Sequence, residues 1–394
     1  VGIAALLVSV LVVRLSSAAA VSDSQPTTWQ GVGQIGGPTQ AVAVQGDYAY
    51  VGVGLRLIVL NVTNPVTPSE VGATAPFPYF VEDIAVAGTR AYLAAGGAGL
   101  RVVDVSDPTN PIELGAWDSP GYAEGVAVVG NTVYLADGPY GLWMVDVSDP
   151  AHPHRVGSAY DMNYAFEVDV SGRYACIAAA GAGLLVADVS DPAHPLEVGA
   201  LDTPGYAYGV VVAGKIAYIA DAWEGLRVVD MSDPVQPVEI GSYQTPGWAF
   251  GVAVSGEQAY VADAFKGLRV LNVSDPAHPS AVGGYALEGG HAGRVAVAGG
   301  VAFVADHNLG LHLLDISDPR APSEVGSYYP MGYAASVATE GSYSYVAAGV
   351  NGLRIVDVSS PAQPRQVGMC EIGTASDRFS VAVAVSGQYA YVGT

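Results

Sequence analysis

A ten-residue stretch, Gly99-Leu100-Arg101-Val102-Val103-Asp104-Val105-Ser106-Asp107-Pro108, recurs in close copies through almost the whole chain, and this recurrence constrains the fold more than any other feature. Its β-branched apolar run favours extended backbone. Ser106-Asp107-Pro108 then stops the strand, because an Asx side chain bonds nearby backbone and Pro cannot continue a ladder. With the closing Asp or Asn as a marker, the copies fall at Asn61, Asp104, Asp146, Asp188, Asp230, Asn272, Asp315 and Asp357, spaced 42 or 43 residues apart. A fixed period over eight copies means a repeat architecture, in which each copy folds as one small unit.

The unit is clearest between Glu124 and Asp161. A small-residue strand, Gly125 to Val129, ends in a Gly130-Asn131 turn. Thr132 to Asp137 forms a second strand, Leu142 to Val147 a third and His154 to Tyr160 a fourth. Four antiparallel strands in about 42 residues predict an all-β chain folded as a single β-propeller of four-stranded blades. The composition agrees, with 50 Gly, 25 Pro and only 13 % charged residues among 394, and no long segment carries the helical apolar period. Small side chains suit a crowded hub, so the Val-Ala-Val strand is predicted innermost and the Val-Gly strand outermost. Residues 29–35 resemble a lone fourth strand, and 380–393 resemble lone first and second strands. Eight complete repeats with these remnants permit eight or nine blades.

The domain reading follows. Residues 1–20 are expected to be the later part of a signal peptide, with an apolar run from Ile3 to Val13 and small residues Ala18-Ala19-Ala20 at a cleavage site. Residues 21–28 read as a polar linker and 29–394 as the propeller, broken off where the next Gly-Leu-Arg-Val-Val-Asp is due. The mature chain is then exported to the cell surface, periplasm or medium, with no membrane span after signal cleavage.

The strand Leu-Arg-Val-Val-Asp at Leu226 to Asp230, and its relative at Leu353 to Asp357, resembles the signature of the LVIVD-repeat proteins, exported or surface proteins of bacteria and archaea. The resemblance runs from about residue 29 to 394 and implies a β-propeller in an extracytoplasmic setting. It implies no catalytic activity, since the family is recognised by a structural strand. Asn61 and Asn272 depart from the pattern at the Asp position.

A net charge of −22, from 37 acidic and 15 basic residues, argues against a sequence-independent grip on nucleic acid or anionic lipid. Cys176 and Cys370 stand at different places in the repeat, and each reads as a small buried thiol. The strand-end carboxylates Asp104, Asp146, Asp188, Asp230, Asp315 and Asp357 read as structural turn residues, because Asn replaces Asp in two copies without losing the turn bond. His152, His194 and His278 share one loop position, so they are dispersed around a rim and do not converge on a metal. The sequons at Asn61 and Asn272 lie at strand ends and read as chance matches. No metal or cofactor is predicted, and a monomer is expected.

The informative side chains lie in loops that a propeller gathers on one face. Loops entering each blade carry Tyr79, Phe80, Tyr122, Tyr164, Tyr206, Tyr208, Trp248, Phe250, His291 and Tyr333, and loops between second and third strands carry Tyr140, Trp223, Phe265 and His307. Glu124, Glu167, Asp137, Asp221, Asp263 and Asp306 are expected to charge the channel mouth. The bland reading makes one aromatic per blade a wedge between neighbours. The functional reading makes the face a binding surface, since aromatics give large contact area at low entropic cost. The leading expectation is a non-catalytic module that binds or scaffolds a protein or glycan partner. A propeller enzyme, a hydrolase, lyase or dehydrogenase with its site at the channel, is the alternative, and an architectural segment of a larger surface protein is the third.

Overall fold

The computed structural model describes residues 10–14, 39–64, 68–159, 164–328 and, beyond these, the strands Ser336–Glu340, Tyr343–Ala347, Leu353–Asp357, Arg365–Cys370, Ala382–Ser386 and Tyr389–Gly393. They fall into two compact units. One runs from Thr39 to Tyr328, and the other takes its residues from Val1–Pro38 and Tyr329–Thr394.

The larger unit contains seven four-stranded antiparallel sheets, each built from consecutive strands. These are blades 1 to 7, and their first strands are Thr39–Gln45, Asp83–Ala87, Gly125–Val129, Glu167–Ser171, Gly209–Ala213, Gly251–Ser255 and Ala292–Ala298. First strands of successive blades adjoin, and that of blade 7 adjoins that of blade 1. The ring therefore closes on seven blades, where sequence counting permitted eight or nine. Packing decides the number: Val42, Val51 and Leu60 of blade 1 share a core with Phe303, Leu311 and Leu313 of blade 7, which leaves no edge open for another blade.

The core consists of seven such clusters, one between each pair of neighbouring blades. Each second strand supplies one large side chain at the same position, Tyr50, Tyr92, Tyr134, Tyr218, Tyr260 or Phe303, and Cys176 stands there in blade 4. Burial pushes the Cys176 thiol up to about 12, so it remains an inert thiol, as expected.

The Val-Gly pairs of the outer strands have a steric cause. In blades 1 to 7 the third and fourth strands slip register at this point, as between Met144 and Val145 in blade 3. The Ser-Asp-Pro loop of the next blade closes onto the glycine. A Cβ on Gly115 would lie 2.5 Å from the carbonyl oxygen of Pro150, and Gly199 meets Pro234 in the same way. Neighbouring blades are further joined by isolated bridges, such as Gly138 to Ala165 and Ala222 to Ala249.

In the smaller unit, the eighth repeat forms a four-stranded sheet running from Ser336–Glu340 to Arg365–Cys370. The last two strands pair with each other as expected, and Tyr389–Gly393 also pairs with Val10–Arg14, within the segment read as a signal peptide. Residues 29–35, expected to supply that outer partner, lie outside the described residues. Among the described residues no helix is long and apolar enough to cross a membrane.

Candidate functional site

The two ends of the third strand lead to different chemistry. At its C-terminal end every blade repeats one Asx turn. The Oδ1 atoms of Asp104, Asp146, Asp188, Asp230 and Asp315 accept from the backbone N–H two residues ahead at 2.7–3.0 Å, and Asn61 and Asn272 do the same. The hydroxyl of the serine two residues ahead, with its N–H, holds Asp104, Asp146 and Asp230 below the usual carboxylate range, Arg173 does so chiefly for Asp188, and the Ser317 N–H for Asp315. Asp357 has its side chain outside the described residues. His152, His194 and His278 each turn Nδ1 to an Asp in their own loop at 2.9 Å and remain apart on blades 3, 4 and 6.

Aromatic side chains line the opposite face. Tyr140, Tyr164, Tyr206, Trp223, Trp248 and Phe265 are exposed, the last at 70 %. All but Tyr140 belong to one connected group over blades 4 to 6, joined through Phe166, Tyr208, Phe250 and His291. Tyr206 meets Trp223 at 5.3 Å between ring centroids, Trp223 meets Trp248 at 6.0 Å, and Phe265 meets His291 at 4.6 Å. Some also rest on their neighbours: the Tyr122 ring covers Gly96 and the Tyr164 ring faces Gly138, in the turn of the preceding blade. The wedge and surface roles thus coexist in single side chains. Tyr333 lies outside the described residues.

Inside this face, each blade sends one residue from just before or within its first strand toward the axis. In order they are Gln40, Glu82, Glu124, Phe166, Tyr208, Phe250 and Gly293, and with Arg294 and His307 they enclose a cavity of about 130 Å³. The ring is asymmetric. Blades 2 and 3 contribute carboxylates. Blades 4 to 6 contribute a wall of rings, with Phe166 to Tyr208 at 4.6 Å and Tyr208 to Phe250 at 4.9 Å. Blade 7 has Gly293 because the His307 imidazole occupies the space a Cβ would take.

Each of the two carboxylates receives a tyrosine hydroxyl from the loop entering the next blade. Tyr122 donates to Glu82 at 2.5 Å and Tyr164 to Glu124 at 2.8 Å. Burial pushes Glu82 up to about 7 against the Tyr122 bond, with Glu124 raising it further and Arg294 opposing. Burial also raises Glu124. Arg294 crosses the channel, pairing with Glu167 of blade 4 and donating to the Glu124 carbonyl at 3.3 Å. Burial and the neighbouring His291 lower His307 to about 4, so its ring is neutral at pH 7.

Of the acids predicted at the mouth, Glu124 and Glu167 do line the channel. Asp137, Asp221, Asp263 and Asp306 do not line it. They are fully buried and pin the loop that enters their own blade. Asp221 accepts from Thr203 Oγ1 at 2.7 Å and from the Gly205 N–H at 3.0 Å, Asp137 holds Ser119 and Gly121 likewise, Asp263 holds Gly247, and Asp306 holds the His291 N–H at 2.7 Å. An Asp at a strand end next to a tight turn satisfies N–H groups that would otherwise be buried without partners. Burial raises Asp137, Asp221 and Asp263, and these donors pull them back.

Sequence reading missed Gln40, Glu82, Phe166, Gly293 and Arg294. Their signal was positional: within an otherwise constant repeat, the two residues before the first-strand Val or Ile differ in character from blade to blade. Among the described residues no group of three His, Cys, Asp or Glu side chains is placed to hold a metal ion.

Known proteins share the fold. The computationally designed Ika8 protein aligns with a TM-score of 0.58 at 9 % identity, covering 82 % of this chain and 99 % of its own. The WD40 repeats of RRP9 align with a TM-score of 0.58 at 10 % identity, over 70 % of this chain and 88 % of theirs, and U3-55K gives 0.57, 10 %, 70 % and 89 %. At such identities the likeness is one of fold alone. No curated protein matches the sequence. The LVIVD repeat model matches residues 36–75, 80–119, 120–161, 163–203, 204–245, 246–286, 289–329, 331–371 and 377–394, and the chain therefore belongs to the LVIVD repeat family.

Proposed function

We propose that this chain is an exported, non-catalytic propeller that binds a protein or glycan partner on its aromatic face at the cell surface or in the periplasm. The observation that carries the reading is the connected group of rings across blades 4 to 6, with Tyr206, Trp223, Trp248 and Phe265 all more than 40 % exposed. Soluble monomers rarely leave large contiguous apolar patches uncovered, and aromatic patches of this kind mark recognition surfaces. Export is supported by the apolar run from Ile3 to Val13 and by the setting the family resemblance implies.

Substituting both Trp223 and Trp248 by Ala removes exposed contacts, so the melting temperature should change little while binding on peptide and glycan arrays weakens at least about tenfold. Variants that bind like the parent would overturn the reading.

One observation favours catalysis as the second reading. Glu82 lines a cavity with its carboxyl raised to about 7, where a general acid or base works well at neutral pH. Glu82→Gln would separate the two readings: turnover of a bound polymer that disappears while binding persists would assign the site to an enzyme.

A further inference from the structure

The channel-mouth cavity differs in kind from the face around it. It is bounded on one side by Glu82 and Glu124 and on the other by Phe166, Tyr208 and Phe250. Just below it, Asp83 and Glu167 face the same channel. Four carboxylates thus converge there on a single guanidinium, Arg294, which already pairs with Glu167. Asp83 is occupied as well, accepting the Val126 N–H at 2.8 Å. Among the described residues Glu82 and Glu124 have only neutral phenol donors besides the attraction of Arg294. A partly buried carboxylate pair of this kind calls for a cation, and an adjoining wall of aromatic rings selects an organic cation over a hydrated metal ion.

The size of the cavity narrows the class. At about 130 Å³ it is well below the roughly 300–1,000 Å³ of pockets that enclose a drug-sized ligand, so it takes the head of a molecule whose remainder lies on the face. We infer that the channel mouth is a receptor site for an alkylammonium head, as on a lysine or methylated lysine side chain, held between the Glu82 and Glu124 carboxylates and the Phe166, Tyr208 and Phe250 rings. This deepens the proposed function and rests on its binding reading. The groups around Glu82 set a pH dependence: Tyr122, Asp83, Glu124, Arg294 and the neutral His307 surround it, and an arriving cation favours its ionised form. Affinity should therefore rise as pH passes upward through about 7.

The test is calorimetric titration of the full chain with n-butylammonium and tetramethylammonium, beside n-butanol, calcium and glucosamine. The expected result is saturable one-to-one binding of the two alkylammonium ions, stronger at pH 8 than at pH 6. Glu82→Gln and Glu124→Gln should each weaken it by about tenfold or more, and Phe250→Leu by about threefold to tenfold. Melting curves establish that each variant is folded, and Asp146→Asn, at a strand end on the opposite face, should retain binding within about threefold. Absence of saturable ammonium binding overturns the assignment. So does equal binding of n-butanol, tighter binding of calcium or glucosamine, or indifference to both glutamate substitutions. Trp223 and Trp248 do not line this cavity, so array binding left unchanged by their loss, alongside ammonium binding in the same variant, would locate a failure in the face reading, not in the receptor site.

Discussion

The two loop faces of the ring use one scaffold to opposite ends. On the Ser-Asp-Pro face, successive blades make the same bonds. The strand-end Asx side-chain oxygen accepts from the N–H two residues ahead, and the outer-strand glycine admits the proline carbonyl of the next blade. On the aromatic face, the equivalent position of each blade changes from Gln40 to Glu82, Glu124, Phe166, Tyr208, Phe250 and Gly293. Bonds that repeat in every blade serve closure, because closing a ring requires each joint to be alike. Side chains that vary on a constant frame serve recognition, because a ligand breaks the symmetry of the ring. A repeat protein is therefore read through its exceptions once its rules are known.

The largest expected effect lies on the constant face. Gly199→Ala puts a Cβ against the Pro234 carbonyl oxygen, a backbone atom that cannot rotate away, and should cost about 3 kcal/mol in urea unfolding. Phe250→Leu on the variable face should cost less, since Phe250 is only half-buried. Equal losses would break the distinction between the faces.

Next is Glu82, whose raised carboxyl works against stability. The folded state keeps its proton up to about 7, while the unfolded chain releases it near 4.5. The native state then holds more protons between those values, and stability falls as pH rises through the window. Glu82→Gln removes this slope, so the variant should gain on the parent from pH 4.5 to 7 and hold a constant margin above it. A flat difference across that range would show that the carboxyl is solvated.

The smallest effect sharpens the structural reading of the turn. Asp146→Ala leaves the Ser148 N–H without its acceptor and should cost about 1 kcal/mol. Asp146→Asn should fall within about 0.5 kcal/mol, because Asn61 and Asn272 already make the same bond. A large loss for Asn would mean that charge, not the hydrogen bond, matters at the strand end.

Much of the fold was legible because its causes are local and repeated. The strand residues, the Gly130 turn at φ +61° and the Asx stop act within a few positions, so their pattern survives in the linear chain. The site was legible only in part. Exposed rings such as Trp223 and Trp248 were found from the loops that carry them. Asp137, Asp221, Asp263 and Asp306 were expected at the channel mouth because they stand beside those loops, yet each is drawn inward by N–H and hydroxyl donors up to 18 residues away.

The sequence by itself determined the blade: four strands, their order from hub to rim, and a family defined by the third. Only tertiary structure decided how many blades the ring holds, since seven follows from the packing of Val42, Val51 and Leu60 against Phe303 and Leu313, residues some 250 positions apart. It also decided which side chains meet at the axis. Arg294 reaches Glu167 and Glu124 across the channel because closure sets blade 7 opposite blades 3 and 4, a contact that no local pattern encodes.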